Sequence, residues 1–248
     1  MYTESPTPAL TNVIEHNIGG LKFVLLENCE DSALTLLSDV IRETRKKSKT
    51  KRDGLSGRGL IRFIDLPNMG CIAIKQYRRG GLISKVVRER YLSQAKLRPE
   101  QELEILVEAQ KLGVNVPRPL GFVTEGGLFY KAWLLTQEIP KHRTLTEIAE
   151  TKPYLVNELI GKLVTQVSRL ISARIHHVDL HPGNTVVSGD NEVYILDFDK
   201  AKKVSCEPKE LRDRYLVRWR RAVIKHDLPE VLSESFCLGL RRSAIIDS

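Results

Sequence analysis

In the first half of the chain, apolar residues come in short runs broken by turn residues. KFVLLEN (22–28) reads as a strand, and DSALTLLSDVIRET (31–44) as a helix with an acidic first turn. A polar, basic stretch follows. GLSGRGLIRFIDLPNMGCIAIKQY (54–77) then holds two strand-like runs about the turn residues Pro67, Asn68 and Gly70, a hairpin in form. PEQELEILVEAQKLG (99–113) has proline near its start, acidic residues early, apolar residues at helical spacing and glycine at its end, which predicts a helix. Residues 116–139 supply further strands around a turn at 125–127.

After Pro140 the pattern changes. TLTEIAE (144–150) and PYLVNELIGKLVTQVSRLISARIHH (153–177) read as helices, the second long and amphipathic. NTVVS (184–188) and EVYILDF (192–198) are short strands across the turn GDN, and the remainder is largely helical. A strand-rich part thus precedes a helix-rich part. The expectation is an α+β chain in two lobes, a strand-rich N-lobe over 1–139 and a short, mainly helical C-lobe over 140–248.

The 248 residues suffice for a substantial core, and 42% hydrophobic with 28% charged residues is ordinary for a soluble globular protein. No segment approaches the roughly 20 apolar residues that span a bilayer. The N-terminus lacks a basic start followed by an apolar run, so no secretory signal is expected. Cys29, Cys71, Cys206 and Cys237 lie far apart without a CxxC pair, which argues against a disulfide framework or a zinc site and favours a reducing compartment, by default the cytoplasm.

The net charge of +8 requires an explanation. Basic residues concentrate at 45–54, 75–90 and 212–226. Solvated faces would account for any one of these, while an anionic membrane surface or a phosphorylated substrate would account for the set. Aromatic residues are 6% of the chain and form no stacking motif, so no nucleic acid partner is expected. In 212–226, Tyr215, Leu216, Val217 and Trp219 alternate with arginines, which suits a helix at a lipid headgroup layer or one packed in the core.

The chemistry gathers in HHVDLHPGNTVVSGDNEVYILDFD (176–199). Asp179 and Asn184 stand in a loop between the long helix and a strand; Asp197 follows thirteen residues after Asn184, at the end of the next strand. A hairpin there brings Asn184 and Asp197 to one edge, where their oxygens suit Mg²⁺, an ion that takes few protein ligands and leaves its other positions to phosphates and water. Asp179 is then placed to accept a proton from an attacking hydroxyl.

The spacing H-x-D-x-x-x-x-N, then thirteen residues to D-F, resembles the catalytic and metal-binding segments of the protein-kinase-like superfamily, and DLHPGN resembles its small-molecule phosphotransferases. The resemblance implies a kinase-like fold that binds ATP and Mg²⁺, with Asp179 catalytic and Asn184 and Asp197 holding the metal. It implies further that Lys75, in CIAIKQY, contacts the α- and β-phosphates and that Glu102 pairs with it. By the same resemblance Gly57, Arg58 and Gly59 form a phosphate-covering turn, and Gln137, Glu138 and Ile139 supply the backbone that meets adenine.

KQYRRGGLISKVVRERYL, GVNVPRPLGF, GLFYKAWLLTQEIP, HHVDLHPGNTVV and VYILDFDKAK together look like the 3-deoxy-D-manno-octulosonic acid (Kdo) kinases of lipopolysaccharide assembly, over about residues 56–226. That family implies ATP-dependent phosphorylation of the 4-hydroxyl of Kdo on a Kdo–lipid A acceptor at the cytoplasmic face of the inner membrane. Asp199 stands where protein kinases have glycine, and His181 where they have a lysine near the γ-phosphate. With 49 residues after Asp199 and no A-P-E element, there is little room for a peptide-binding segment. The same motifs also fit a kinase of another sugar or small alcohol, such as an inner-core heptose or an aminoglycoside, and beyond these a protein kinase or a non-catalytic kinase-like module.

Overall fold

The computed structural model describes residues 10, 12–43, 61–77, 97–127 and 130–243. Gly57, Arg58 and Gly59, with nearly all of the first two basic clusters, lie outside them. The chain divides into two compact units, one of 9–103 and 118–138, the other of 1–8, 104–117 and 139–248. The first is strand-rich and the second mainly helical, the order expected for this α+β chain.

The first unit is built on β1 (Ile14–Ile18), β2 (Leu21–Leu25), β3 (Ile61–Leu66), β4 (Gly70–Gln76), β5 (Pro119–Glu125) and β6 (Lys131–Gln137). They form one antiparallel sheet in the order β1-β2-β5-β6-β4-β3. Helix α1 (Asp31–Glu43) buries Leu34, Leu37 and Ile41 in a core with Phe23, Ile72, Ile74, Val123 and Trp133. Burial of this contiguous apolar set is what holds α1 on the sheet. Where β5 shifts register between Pro119 and Gly121, the backbone of β2 comes so close that a Cβ on Gly121 would lie 2.3 Å from the Val24 carbonyl oxygen. Only glycine fits there, and its φ of 151° is one that other residues rarely adopt. The sequence reading did not assign β1, although Ile14, His16 and Ile18 alternate with more exposed neighbours.

Helix α2 (Arg98–Lys111) ends at Gly113, whose φ of 73° suits the left-handed residue that stops a helix. The second unit continues with β7 (Arg143–Thr144) and α3 (Leu145–Thr151), which opens on a capping box of Thr144 and Glu147. Helix α4 (Val156–Ser172) follows, with Leu159, Leu163, Val167 and Leu170 on its buried stripe. The predicted helix over 153–177 is too long at its C-terminal end. Arg174 adopts a left-handed φ of 56° and its side chain donates to the Cys206 carbonyl, so the chain leaves the helix and enters β8 (Ile175–His176). His176 therefore does not end a helix; it pairs with Lys202 in β11 (Lys202–Lys203). β9 (Thr185–Val187) and β10 (Val193–Ile195) make the expected hairpin, and β7 adds to it. Helices α5 (Pro208–Lys225) and α6 (Val231–Arg242) close the unit on α4, with Trp219 stacked on Phe236 at 4.3 Å.

Candidate active site

In the first unit, alternation along β4 sends Ile72 and Ile74 into the core under α1, which turns Lys75 to the opposite face of the sheet. There its ammonium donates to both carboxylate oxygens of Glu102, at 2.9 and 3.1 Å. Glu102 is 2% exposed, and the Tyr77 hydroxyl donates to its Oε2. The Lys75 ammonium and the Arg98 guanidinium each lie 5.4 Å from the centroid of the Tyr77 ring. Glu100 instead accepts from the Leu97 backbone at 3.3 Å. Tyr77 was not singled out by sequence reasoning; its only signal was its place two residues after Lys75, on the same side of an extended chain.

At the end of β6 the backbone is held by specific partners. Gln137 donates to the Arg118 carbonyl and Glu138 to that of Cys71, both at 2.9 Å. The Ile139 carbonyl is 2.6 Å from His142 Nδ1. The Ile139 N–H and the Glu138 carbonyl stand outside these bonds, so the segment offers a donor and an acceptor of the kind an adenine edge requires.

In the second unit the loop bearing Asp179 is fixed from two sides. The Tyr215 hydroxyl, fully buried on α5, donates to the Ile175 carbonyl at 2.8 Å and accepts the His177 N–H at 2.7 Å. Burial pushes the Tyr215 phenol above its usual pKa, so it stays protonated and keeps its donor role. The His177 ring is buried, with Nε2 2.9 Å from the Leu196 carbonyl and the Phe198 edge against it at 4.5 Å. A carbonyl partner requires that nitrogen to carry the proton, and burial holds the ring neutral. His177 is thus a packed support linking the Asp179 loop to the strand before Asp197.

Asn184 donates its side-chain amide to the Asp179 carbonyl at 2.9 Å, and its own carbonyl accepts the Leu196 N–H at 2.8 Å. The first bond orients the amide, turning its oxygen the other way; the second places Asn184 across from the residue before Asp197. Asp197 has a left-handed φ of 63°, a conformation with a cost of order 1 kcal/mol for a residue with a Cβ. An amide oxygen and a carboxylate oxygen are hard donors that fit Mg²⁺ completed by phosphates and water. Among the described residues no group of three or more His, Cys, Asp or Glu is placed to hold a metal. His181 is taken up locally, its Nδ1 accepting the Gly183 N–H at 3.0 Å.

The Asp179 carboxylate is held by two cations, Lys200 Nζ at 2.9 Å on Oδ2 and Arg218 Nη2 at 3.2 Å on Oδ1. Burial alone would raise the pKa of this carboxyl, and so would the charge of Asp197; Lys200 and Arg218 outweigh both and hold it below its ordinary value. Asp179 is therefore ionised at neutral pH. Neither cation was identified from sequence. Lys200 stood two residues past Phe198, and Arg218 was one of many charges in the 212–226 cluster.

A sequence model described as the lipopolysaccharide kinase (Kdo/WaaP) family matches residues 43–237. The chain is 33% identical over 178 residues to a protein named 3-deoxy-D-manno-octulosonic acid kinase from Vibrio parahaemolyticus, covering 70% of this chain and 74% of that one. A protein of the same name from Vibrio cholerae is 36% identical over 148 residues, 58% of this chain and 62% of the relative. One from Stenotrophomonas maltophilia is 31% identical over 185 residues, 72% of this chain and 71% of the relative.

Proposed function

Because the chain belongs to the lipopolysaccharide kinase (Kdo/WaaP) family and is thereby an ATP-dependent phosphotransferase, we propose that it phosphorylates the 4-hydroxyl of a Kdo residue on a Kdo–lipid A acceptor. The observation that carries the transfer chemistry is the Lys75 ammonium held by both oxygens of a buried Glu102. A lysine fixed in this way presents a point charge to the α- and β-phosphates without first having to be ordered. The acceptor assignment is supported by the relatives, each named as a Kdo kinase.

In this reading the Ile139 N–H and the Glu138 carbonyl meet adenine, with Gln137 positioning the strand end. Asn184 and Asp197 hold Mg²⁺, which when bound neutralises charge developing on the phosphates. Asp179 orients the acceptor hydroxyl in line with the γ-phosphorus. The oxygen–phosphorus bond forms as the bond from the γ-phosphorus to the bridging oxygen breaks. ADP leaves with that electron pair, and the hydroxyl proton passes to Asp179. Since the transition state is loose, Asp179 acts more by placing the oxygen than by removing its proton.

The proposed site of action is the cytoplasmic face of the inner membrane, and α5 is the feature that supports it. Its inward residues, Leu211, Tyr215, Trp219 and Val223, are buried, whereas Val217 is 66% and Ile224 76% exposed beside the exposed Arg220, Arg221 and Lys225. Apolar side chains flanked by cations suit an anionic lipid surface. No helix among the described residues is long and apolar enough to cross a membrane, so contact through this face would be peripheral.

Incubating the protein with labelled ATP, Mg²⁺ and Kdo–lipid A, beside a heptosylated acceptor and a generic protein, tests the assignment. Label on the Kdo of the first acceptor is expected. Label only on heptose would favour the second reading, an inner-core heptose kinase, which the breadth of the family's description accommodates. Label only on protein would overturn both.

A further inference from the structure

In the role just given it, Asp179 receives the acceptor hydroxyl between two cations. One of its oxygens is held by Lys200 and the other by Arg218. An ionised carboxylate offers about four lone-pair sites, so each oxygen can still accept the hydroxyl while both cations stay in place. The hydroxyl therefore arrives beside two positive charges, which would attract an anion carried on the same molecule.

Arg218 is suited to receive it. Its Nε is buried and has no hydrogen-bond partner, so the guanidinium holds an unused donor beside the one given to Asp179. A guanidinium presents its donors as a planar fork that matches the two oxygens of a carboxylate, a match a lysine cannot reproduce. Lys200 is more mobile in principle: its side chain is 62% exposed and reaches Asp179 from the loop after Phe198.

We propose that Lys200 and Arg218 read the carboxylate of a sugar-acid acceptor. The pair holds Asp179 in place; on binding, the acceptor's hydroxyl takes a free lone pair of an Asp179 oxygen and its carboxylate meets the remaining donors of Arg218 and Lys200. A neutral sugar lacks that second contact and is a poorer acceptor for that reason, as sites built to hydrogen-bond a substrate group discriminate against analogues without it. The inference rests on the Kdo acceptor proposed above and adds which residues recognise its acid function.

The test compares two acceptors, Kdo–lipid A and the same molecule with its Kdo carboxylate converted to the carboxamide, in the wild type, Arg218→Lys, Arg218→Met and Lys200→Met, with KM for ATP measured in each. Wild type is expected to lose ~10- to 100-fold in kcat/KM on the carboxamide, and Arg218→Met a similar factor on the carboxylate, with little further loss when both changes are combined. Arg218→Lys should restore only part of the loss, and KM for ATP should stay within about twofold. Lys200→Met, at an exposed position that tolerates substitution, gives the same comparison should Arg218→Met fail to fold. Equal losses on the two acceptors in every soluble variant, or a loss confined to KM for ATP, would overturn the proposal; the latter would assign the pair to the γ-phosphoryl group. If wild type labels no Kdo on either acceptor, the parent assignment fails and this one with it.

Discussion

Lys75 on β4 and Glu102 on α2 form a two-pronged ion pair in which the carboxylate is almost fully buried and the ammonium is not. The asymmetry decides what each substitution does. Lys75→Met removes the partner of a buried charge, so it should cost about 3 kcal/mol of stability as well as activity. Adding Glu102→Gln should recover most of the melting temperature and none of the turnover. Thermal melts and steady-state kinetics on the three proteins check this, and recovery of activity in the double variant would contradict it.

Asp197→Ala should abolish turnover, while Asp179→Ala should lower kcat by ~10²–10⁴-fold and leave ATP affinity largely intact. Near-normal turnover in Asp179→Ala would remove the role assigned to that carboxylate. Asp197→Asn should fold as well as wild type, because asparagine tolerates the left-handed backbone at 197 better than alanine does. Nucleotide titration by calorimetry, with and without Mg²⁺, separates these effects from misfolding.

Tyr215→Phe deletes one oxygen and leaves two backbone groups, the Ile175 carbonyl and the His177 N–H, buried without it. The expected loss is about 1–3 kcal/mol in denaturant unfolding, far more than removing a hydroxyl from a surface tyrosine. Because those groups anchor the loop of Asp179, kcat should fall with stability. A variant of unchanged stability would show that the hydroxyl is dispensable.

The pKa of His176 is pushed down to about 4, first by burial and then by the charges of Arg214 and Lys202, and its ring lies edge-on to Tyr215. The folded protein therefore keeps this ring neutral while the unfolded chain protonates it near its ordinary 6.5. Its contribution is fully present above pH 6.5 and is lost as pH falls toward 4, with a slope of at most ~1.4 kcal/mol per pH unit. Melting temperatures between pH 7.5 and 5 should decline, and His176→Gln should flatten the decline. An unchanged slope in the variant would exclude His176 as its source.

Replacing Val217 and Ile224 together by glutamate should abolish sedimentation with vesicles containing anionic lipid while leaving the melting temperature within about a degree, since exposed positions contribute little to folding. Undiminished sedimentation would place lipid contact elsewhere. Equal sedimentation of wild type with neutral and anionic vesicles would argue against an electrostatic component.

Much of this arrangement was legible in the chain because it depends on local periodicity. Alternation in CIAIKQY puts Lys75 opposite Ile72 and Ile74 whatever the rest does, and the GDN turn forces Asn184 and the strand before Asp197 together. What escaped depends on tertiary phase. Periodicity alone leaves Glu100, Glu102 and Glu104 equivalent; the resemblance singles out Glu102, and the rotation of α2 against β4 is what brings it to Lys75. The end of α4 was placed too late because Ile171 and Ile175 continue a helical apolar spacing, while the break occurs at Arg174 with no glycine to announce it. Arg218 could not be separated from the six other cations of its helix until the face turned toward Asp179 was known.

Val217 and Arg218 are consecutive on α5, and successive side chains on a helix diverge by about 100°. One points outward and the other reaches the reactive carboxylate. If the outward side rests on lipid, the helix acts as a ruler: the height at which phosphate is delivered above the bilayer is set by the width of a single backbone rod. Sugars inserted between the lipid anchor and the target ring would lift that ring past the mark, so chain length as well as chemistry would decide which glycolipids are modified.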